Sequence, residues 1–154
     1  GGRTRGCTGT AYGTAAGGGI AIGAGTGVNK ATASGGNAIA IGSSTIANAQ
    51  YAVAIGRVSI ASGENSTALG NNSKATGTSA VAVGSSSIAS GVGALAVGND
   101  AQATGNNATA VGAGNNDSQL NAARALGVAS TAVGYQSTAT GDYSVAIGKG
   151  SNAL

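Results

Sequence analysis

The chemistry open to this chain is narrow. Its 154 residues include four carboxylates (Glu64, Asp100, Asp117 and Asp142), one thiol (Cys7) and no histidine. Nucleophilic triads and zinc sites built on imidazole are therefore out of reach. The carboxylates never stand together; Glu64 and Asp142 share a repeat position but lie 78 residues apart. Calcium-binding β-rolls carry Asp in nearly every turn, and that series is missing here. Gly17-Gly18-Gly19 and Gly23-Ala24-Gly25 neither open a helix nor carry the Lys-Ser/Thr partner of a phosphate loop. Cys7 has no second thiol for an internal disulfide. The residues predict no enzyme, no cofactor and no metal.

Charge is equally sparse. Seven cations, Arg3, Arg5, Lys30, Arg57, Lys74, Arg124 and Lys149, leave a net charge of +3. They are scattered singly, and the only aromatics are Tyr12, Tyr51, Tyr135 and Tyr143. Nucleic-acid binders cluster their cations and stack bases on aromatics, so no nucleic-acid partner is expected. No apolar run approaches the ~20 residues of a membrane helix.

What the chain has instead is rhythm. An aliphatic-Gly pair recurs at Gly23, Gly42, Gly56, Gly70, Gly84, Gly98, Gly112, Gly134 and Gly148. Six of the eight intervals are 14 residues; the others, 19 and 22, contain insertions of 5 and 8. A fixed period is the mark of a solenoid whose units pack on their neighbours. With each closing Gly numbered zero, position −2 is Ala in all nine units, and −4 is Ala or Ser from the second unit on. Positions −3 and −1 carry 15 of the chain's 25 Ile, Leu and Val residues. Such alternation is the period of a β-strand. A second short strand follows, small at +3 and +5 and mixed at +4 and +6, and a Gly at +7 is expected to make a second turn.

These columns predict coils of strand, turn, strand, turn, stacked about 4.8 Å apart into a prism on the order of 43 Å long. The small columns −4, −2, +3 and +5 fill a thin interior, which sends the bulky aliphatics outward. The opposite assignment would leave a bare Ala surface and put Thr67, Thr109 and Thr131 in the core. An outward stripe of this kind does not stay in water. Ile39, Ile41, Val53, Ile55, Leu69, Val81, Val83, Leu95, Val97, Val111, Val133, Val145 and Ile147 are therefore expected between subunits. The other face, with Ile46, Ile60, Lys74, Ile88 and Gln102, is the candidate ligand-binding face; the same residues also fit a plain solvated or subunit-packed surface. The insertion at 113–124 is expected to form an outward loop that Leu120 could pin, with a shorter equivalent near 24–31.

The units Asn37-Ala38-Ile39-Ala40-Ile41-Gly42, Asn65-Ser66-Thr67-Ala68-Leu69-Gly70 and Tyr143-Ser144-Val145-Ala146-Ile147-Gly148 resemble the head repeat of YadA-like trimeric autotransporter adhesins. That repeat runs Asn-Ser-Val-Ala-Ile-Gly, then two residues and Ser; Ser59, Ser73, Ser87, Ser137 and Ser151 stand in the last place. The departures fall mainly at its Asn, replaced by Tyr51, Ser79, Gly93, Ala129 and Tyr143. The resemblance implies a left-handed parallel β-roll assembled as a homotrimer. Residues 20–154 would form about nine coils, after an irregular Gly-rich start or degenerate first coil at 1–19. It further implies the exterior of a Gram-negative bacterium, with attachment to the outer membrane through an anchor outside this chain, which looks like head alone. The implied function is adhesion to host cells or matrix proteins such as collagen, fibronectin or laminin. The alternative is a structural spacer or shield without a ligand of its own. An ice-binding solenoid would need a regular Thr-x-Thr row, which the mixed +4 and +6 columns do not supply.

Overall fold

The computed structural model describes residues 13–23, 29–115 and 121–154. Its strands are short and alternate between two parallel sheets. Three-residue strands such as Val53–Ile55, Thr67–Leu69 and Val81–Val83 belong to a sheet of nine. Two-residue strands such as Ile60–Ala61, Lys74–Ala75 and Ile88–Ala89 belong to a sheet of ten, which opens with Gly13–Ala15 and Ala31–Ala33. Each strand pairs with its counterpart in the next coil in constant register: Val53 with Thr67, Thr67 with Val81, Val81 with Leu95. The fold is an all-β parallel solenoid of 14-residue coils.

Two turns close each coil, and they are built alike. At the first, the Ser73 amide donates to the Gly70 carbonyl at 3.4 Å while Asn72, third in the turn, sits at φ +56°. At the second, the Ala80 amide donates to the Gly77 carbonyl at 3.1 Å and Ser79 takes the same φ of +56°. A left-handed third residue is what a type II turn requires, and it favours Gly or Asn. Asn37, Asn65, Asn72 and Asn107 meet that preference, whereas Val58, branched at Cβ, holds φ +60° against it. The left-handed amides are not idle. Ser79 donates to the Glu64 carbonyl and Asn72 to the Arg57 carbonyl, each at 2.8 Å, so hydrogen bonds link the coils at the corners as well as along the sheets.

The interior is made of methyls and hydroxyls. Ala40, Ala54, Ala68, Ala82 and Ala96 from one sheet meet Ala47, Ala61, Ala75, Ala89 and Ala103 from the other, all fully buried. No aliphatic side chain larger than Ala lies in the buried cluster. A buried hydroxyl needs a partner. Ser59, Ser73, Ser87 and Ser137 find it by donating to the carbonyl of the Gly three residues back, at 2.8 to 3.1 Å. The hydroxyl thus doubles the turn's own backbone bond, whereas the equally buried Ser66 Oγ has no hydrogen-bond partner among the described residues.

The glycine at +7 has a different reason from the one the sequence suggests. It does open the second turn, as expected, but the left-handed place in that turn falls two residues later, to Ser79 after Gly77 and to Gly93 after Gly91. Gly77 is required because a Cβ there would collide with the Gly91 carbonyl of the coil stacked on it, as one on Gly91 would with Gly105. The closing glycines from Gly42 to Gly134 carry both constraints: Gly42 has φ +132°, and its Cβ would lie 2.5 Å from the Gly56 carbonyl.

Candidate binding faces

The two sheets turn two very different surfaces outward. On the nine-stranded sheet, Ile39, Val53, Thr67, Val81, Leu95, Thr109, Thr131 and Val145 follow one another in register. Beside them runs a second row of Ile41, Ile55, Leu69, Val83, Val97, Val111, Val133 and Ile147. Neither row contains a charge. Within one protomer these side chains are half-buried by their row neighbours, and more open where neighbours are lost: Ile147, in the last coil, is 68% exposed. Leu69 is 43% exposed in mid-row. The bulky residues thus point away from the protomer's own core, and the alternative with Val and Ile inside is excluded by the geometry.

On the ten-stranded sheet the outward row reads Thr32, Ile46, Ile60, Lys74, Ile88, Gln102, Arg124, Thr138 and Asn152. It brings Ile46, Ile60, Lys74, Ile88 and Gln102 into one line. Gln102 differs from the expectation of an open ligand-face residue. It is only 9% exposed, where the ladder passes from Ile88 to Arg124 and the inserted segment enters the coil. Arg124 belongs to this row and was not assigned to it from sequence. The 8-residue insertion shifts the count from Gly112, and the Ala either side of it, Ala123 and Ala125, was the usable signal.

Both insertions enter at the same corner of the coil. Each time the chain returns on an Asn in the +1 place: Asn29, whose carbonyl accepts from the Ser44 amide, and Asn121, whose carbonyl accepts from the Gln136 amide; before the second insertion Gly114 still donates its amide to the Asn99 carbonyl at 2.7 Å. Their side chains act alike too, with Asn29 Oδ1 bonded to Ser44 Oγ at 3.3 Å and Asn121 Oδ1 to Gln136 Nε2 at 2.9 Å. Leu120 and Cys7 lie outside the described residues. Among the described residues no group of three or more His, Cys, Asp or Glu could hold a metal ion, and no helix is long and apolar enough to cross a membrane.

The family model "YadA head domain repeat (2 copies)" matches residues 33–59, 61–87, 89–115 and 125–151. Each match spans two coils, and the break between the third and fourth falls on the second insertion. Among solved structures, the collagen-binding domain of the Yersinia adhesin YadA is similar, with a TM-score of 0.59 and 30% identity over 84% of this chain and 80% of that one. No curated protein matches. With its coils matched over more than half its length and its two-sheet roll shared with that domain, this chain belongs to the YadA head domain repeat family.

Proposed function

We propose that this chain is the adhesive head of a bacterial surface protein, a homotrimer anchored to the outer membrane of a Gram-negative cell by segments outside this chain. The observation that carries the adhesive reading is the ten-stranded face, where low-charge side chains repeat once per coil on a fold shared with a collagen-binding domain. Its partner is extracellular-matrix protein, collagen first, with fibronectin and laminin as further candidates. Weak contacts multiplied over coils and over three chains raise avidity without a strong single site. Ile46, Ile60, Lys74 and Ile88 form the contact row, with Gln102 at its shielded end. The role is binding rather than catalysis, in keeping with the family.

The trimer rests on the nine-stranded face. Burying one aliphatic side chain contributes roughly 1.5–3 kcal/mol, and two uncharged rows running the length of the roll present many of them. Three copies meeting on Ile39, Ile41, Val53, Ile55, Leu69, Val81, Val83, Leu95, Val97, Val111, Val133, Val145 and Ile147 would remove that stripe from water. Sedimentation equilibrium should give three times the chain mass; a stable monomer overturns this assignment.

Solid-phase binding to immobilised collagen, fibronectin and laminin tests the adhesive reading. Binding to at least one is expected, and Ile46→Asp/Ile60→Asp/Ile88→Asp should abolish it in a folded trimer. Binding to none of the three leaves the spacer reading in its place.

A further inference from the structure

The charges of the roll are sorted by edge. Among the described residues, Lys30, Arg57 and Lys149 stand in the turn that follows the nine-stranded sheet, and Lys74 and Arg124 in the strands that leave that turn. Glu64 and Asp142 stand in the other turn, which leads back into the nine-stranded sheet. Asp100 is the one described carboxylate on the basic side, and at 7% exposed it is withdrawn from the surface. Arg57, Glu64, Asp142 and Lys149 are all exposed. None of the four has an ion-pair partner in its own chain among the described residues; Asp142 caps the Val128 amide at 2.8 Å, and Lys149 Nζ lies 5.9 Å from the Tyr135 ring centre. The apolar face is thus bordered by a basic edge where its strands end and an acidic edge where they begin.

Resting on the reading that three copies meet on the nine-stranded face, we propose that these edges pair between copies: Lys149 with the partner's Asp142, and Arg57 with the partner's Glu64. The argument is one of symmetry. A three-fold ring has heterologous contacts, in which one patch of each copy meets a different patch of the next. When every copy turns the same face to the axis, the edge where one sheet's strands end lies against the edge where the next sheet's strands begin, at equal height. Basic therefore meets acidic at all three junctions. Height matches as well as sign. Asp142 and Lys149 flank one strand, Val145–Ile147, so they lie in the same layer. Arg57 follows Val53–Ile55 and Glu64 precedes Thr67–Leu69, two strands that pair directly. These two charges are one layer of about 4.8 Å apart, within the reach of two long side chains.

The apolar rows cannot make this choice. Two copies could bury the same stripe while running in opposite directions, but a two-fold axis across the roll sets each edge against its own kind. Like charges across a contact are costly, whereas complementary ones fix register and exclude wrong partners. A slip by one coil keeps the aliphatics in contact, because the rows repeat every 14 residues, yet it separates Lys149 from the partner's Asp142. The edge charges supply the direction and register that a repeated uncharged stripe lacks.

Two experiments on the full chain test the pairing. In a Cys7→Ser background, Asp142→Cys/Lys149→Cys should oxidise to a covalently closed trimer on a non-reducing gel. A disulfide needs Cα atoms within about 7 Å, and the three-residue strand between these places, at about 3.3 Å per residue, puts them out of reach within one chain. Lys149→Cys alone should give no linked species. Covalent dimers from Lys149→Cys alone mean that like edges meet, and they overturn the pairing; so does a double variant of trimer mass that fails to link.

The second experiment reads the urea midpoint at which trimer mass is lost. It should fall by roughly 0.5 M or more in Arg57→Glu and in Glu64→Arg, and Arg57→Glu/Glu64→Arg should recover it. In 1 M salt, where the screening length is about 3 Å, the single reversals should approach the wild type. Midpoints that the reversals do not move, a double variant no better than the singles, or a loss undiminished by salt overturns the Arg57–Glu64 pair and leaves the trimer standing. A wild-type chain of monomer mass without urea removes the trimer reading and this inference together.

Discussion

The nine-stranded and ten-stranded faces are made by the same backbone device and end up with different surfaces. Each half-coil is a strand followed by a turn with a left-handed third residue and an amide-to-carbonyl bond across it, and each contributes only Ala, Ser or Thr to the interior. Nothing in the scaffold favours one side as a contact between copies and the other as a surface for something else. The proposed division rests entirely on the outward columns: aliphatics and Thr without charge on one side, Ile interrupted by Lys74, Gln102 and Arg124 on the other. Scaffold and surface are thus separable, and substitutions should sort accordingly.

The largest effect is expected on the nine-stranded side. Val83→Asp with Val97→Asp places charges on adjacent coils in the row that the trimer would bury. Two lost side chains at roughly 1.5–3 kcal/mol each, with unpaired carboxylates in their place, should dissociate the assembly. The equivalent pair on the other side, Ile60→Asp with Ile88→Asp, should leave the solution mass unchanged. Light scattering on both variants decides the matter, and equal loss of mass in both would end the distinction between the faces.

A substitution in the shared scaffold should ignore it. Gly77→Ala forces a Cβ into the Gly91 carbonyl of the next coil, although its φ lies outside the left-handed region. The coil must shift, at a cost of about 3 kcal/mol or more, which thermal denaturation should register as a large drop in Tm. Assembly and binding should weaken together, in proportion to the loss of fold.

The smallest effect has the opposite sign. Val58 holds φ +60°, where a branched side chain is strained, at a place Asn occupies in the next coil as Asn72. Val58→Asn should stabilise the chain by about 1 kcal/mol, seen as a modest rise in Tm, without altering either face. A fall in Tm would mean that the Val side chain contributes packing that outweighs the strain.

The period, the strands and the direction of each column could be read from the sequence because a β-strand alternates strictly, and nine units repeat the same alternation. Ala at −2 in every unit leaves one place for the bulky residues, and Val83 and Val97 occupy it. The +7 glycines were legible as a requirement but not as its cause. A sequence records that Gly77 has no side chain, not which atom of the following coil fills the space. Arg124 was hidden because an insertion breaks the count that periodicity depends on. Gln102 belongs to the row that the repeat assigns it, but its burial, at 9% exposed, has no counterpart in the columns, which give every residue of a row the same surroundings.

The shared corner at which both insertions enter has a practical consequence. Between Gly23 and Asn29, and again between Gly114 and Asn121, extra chain is spliced in, and the returning Asn offers its carbonyl to the next coil as the +1 residue of an uninterrupted coil does. The roll therefore behaves as a rod with a standard socket on each layer. Cargo attached there can vary in length while the rod keeps its gauge, and several such attachments can be set at chosen multiples of one layer along a single edge.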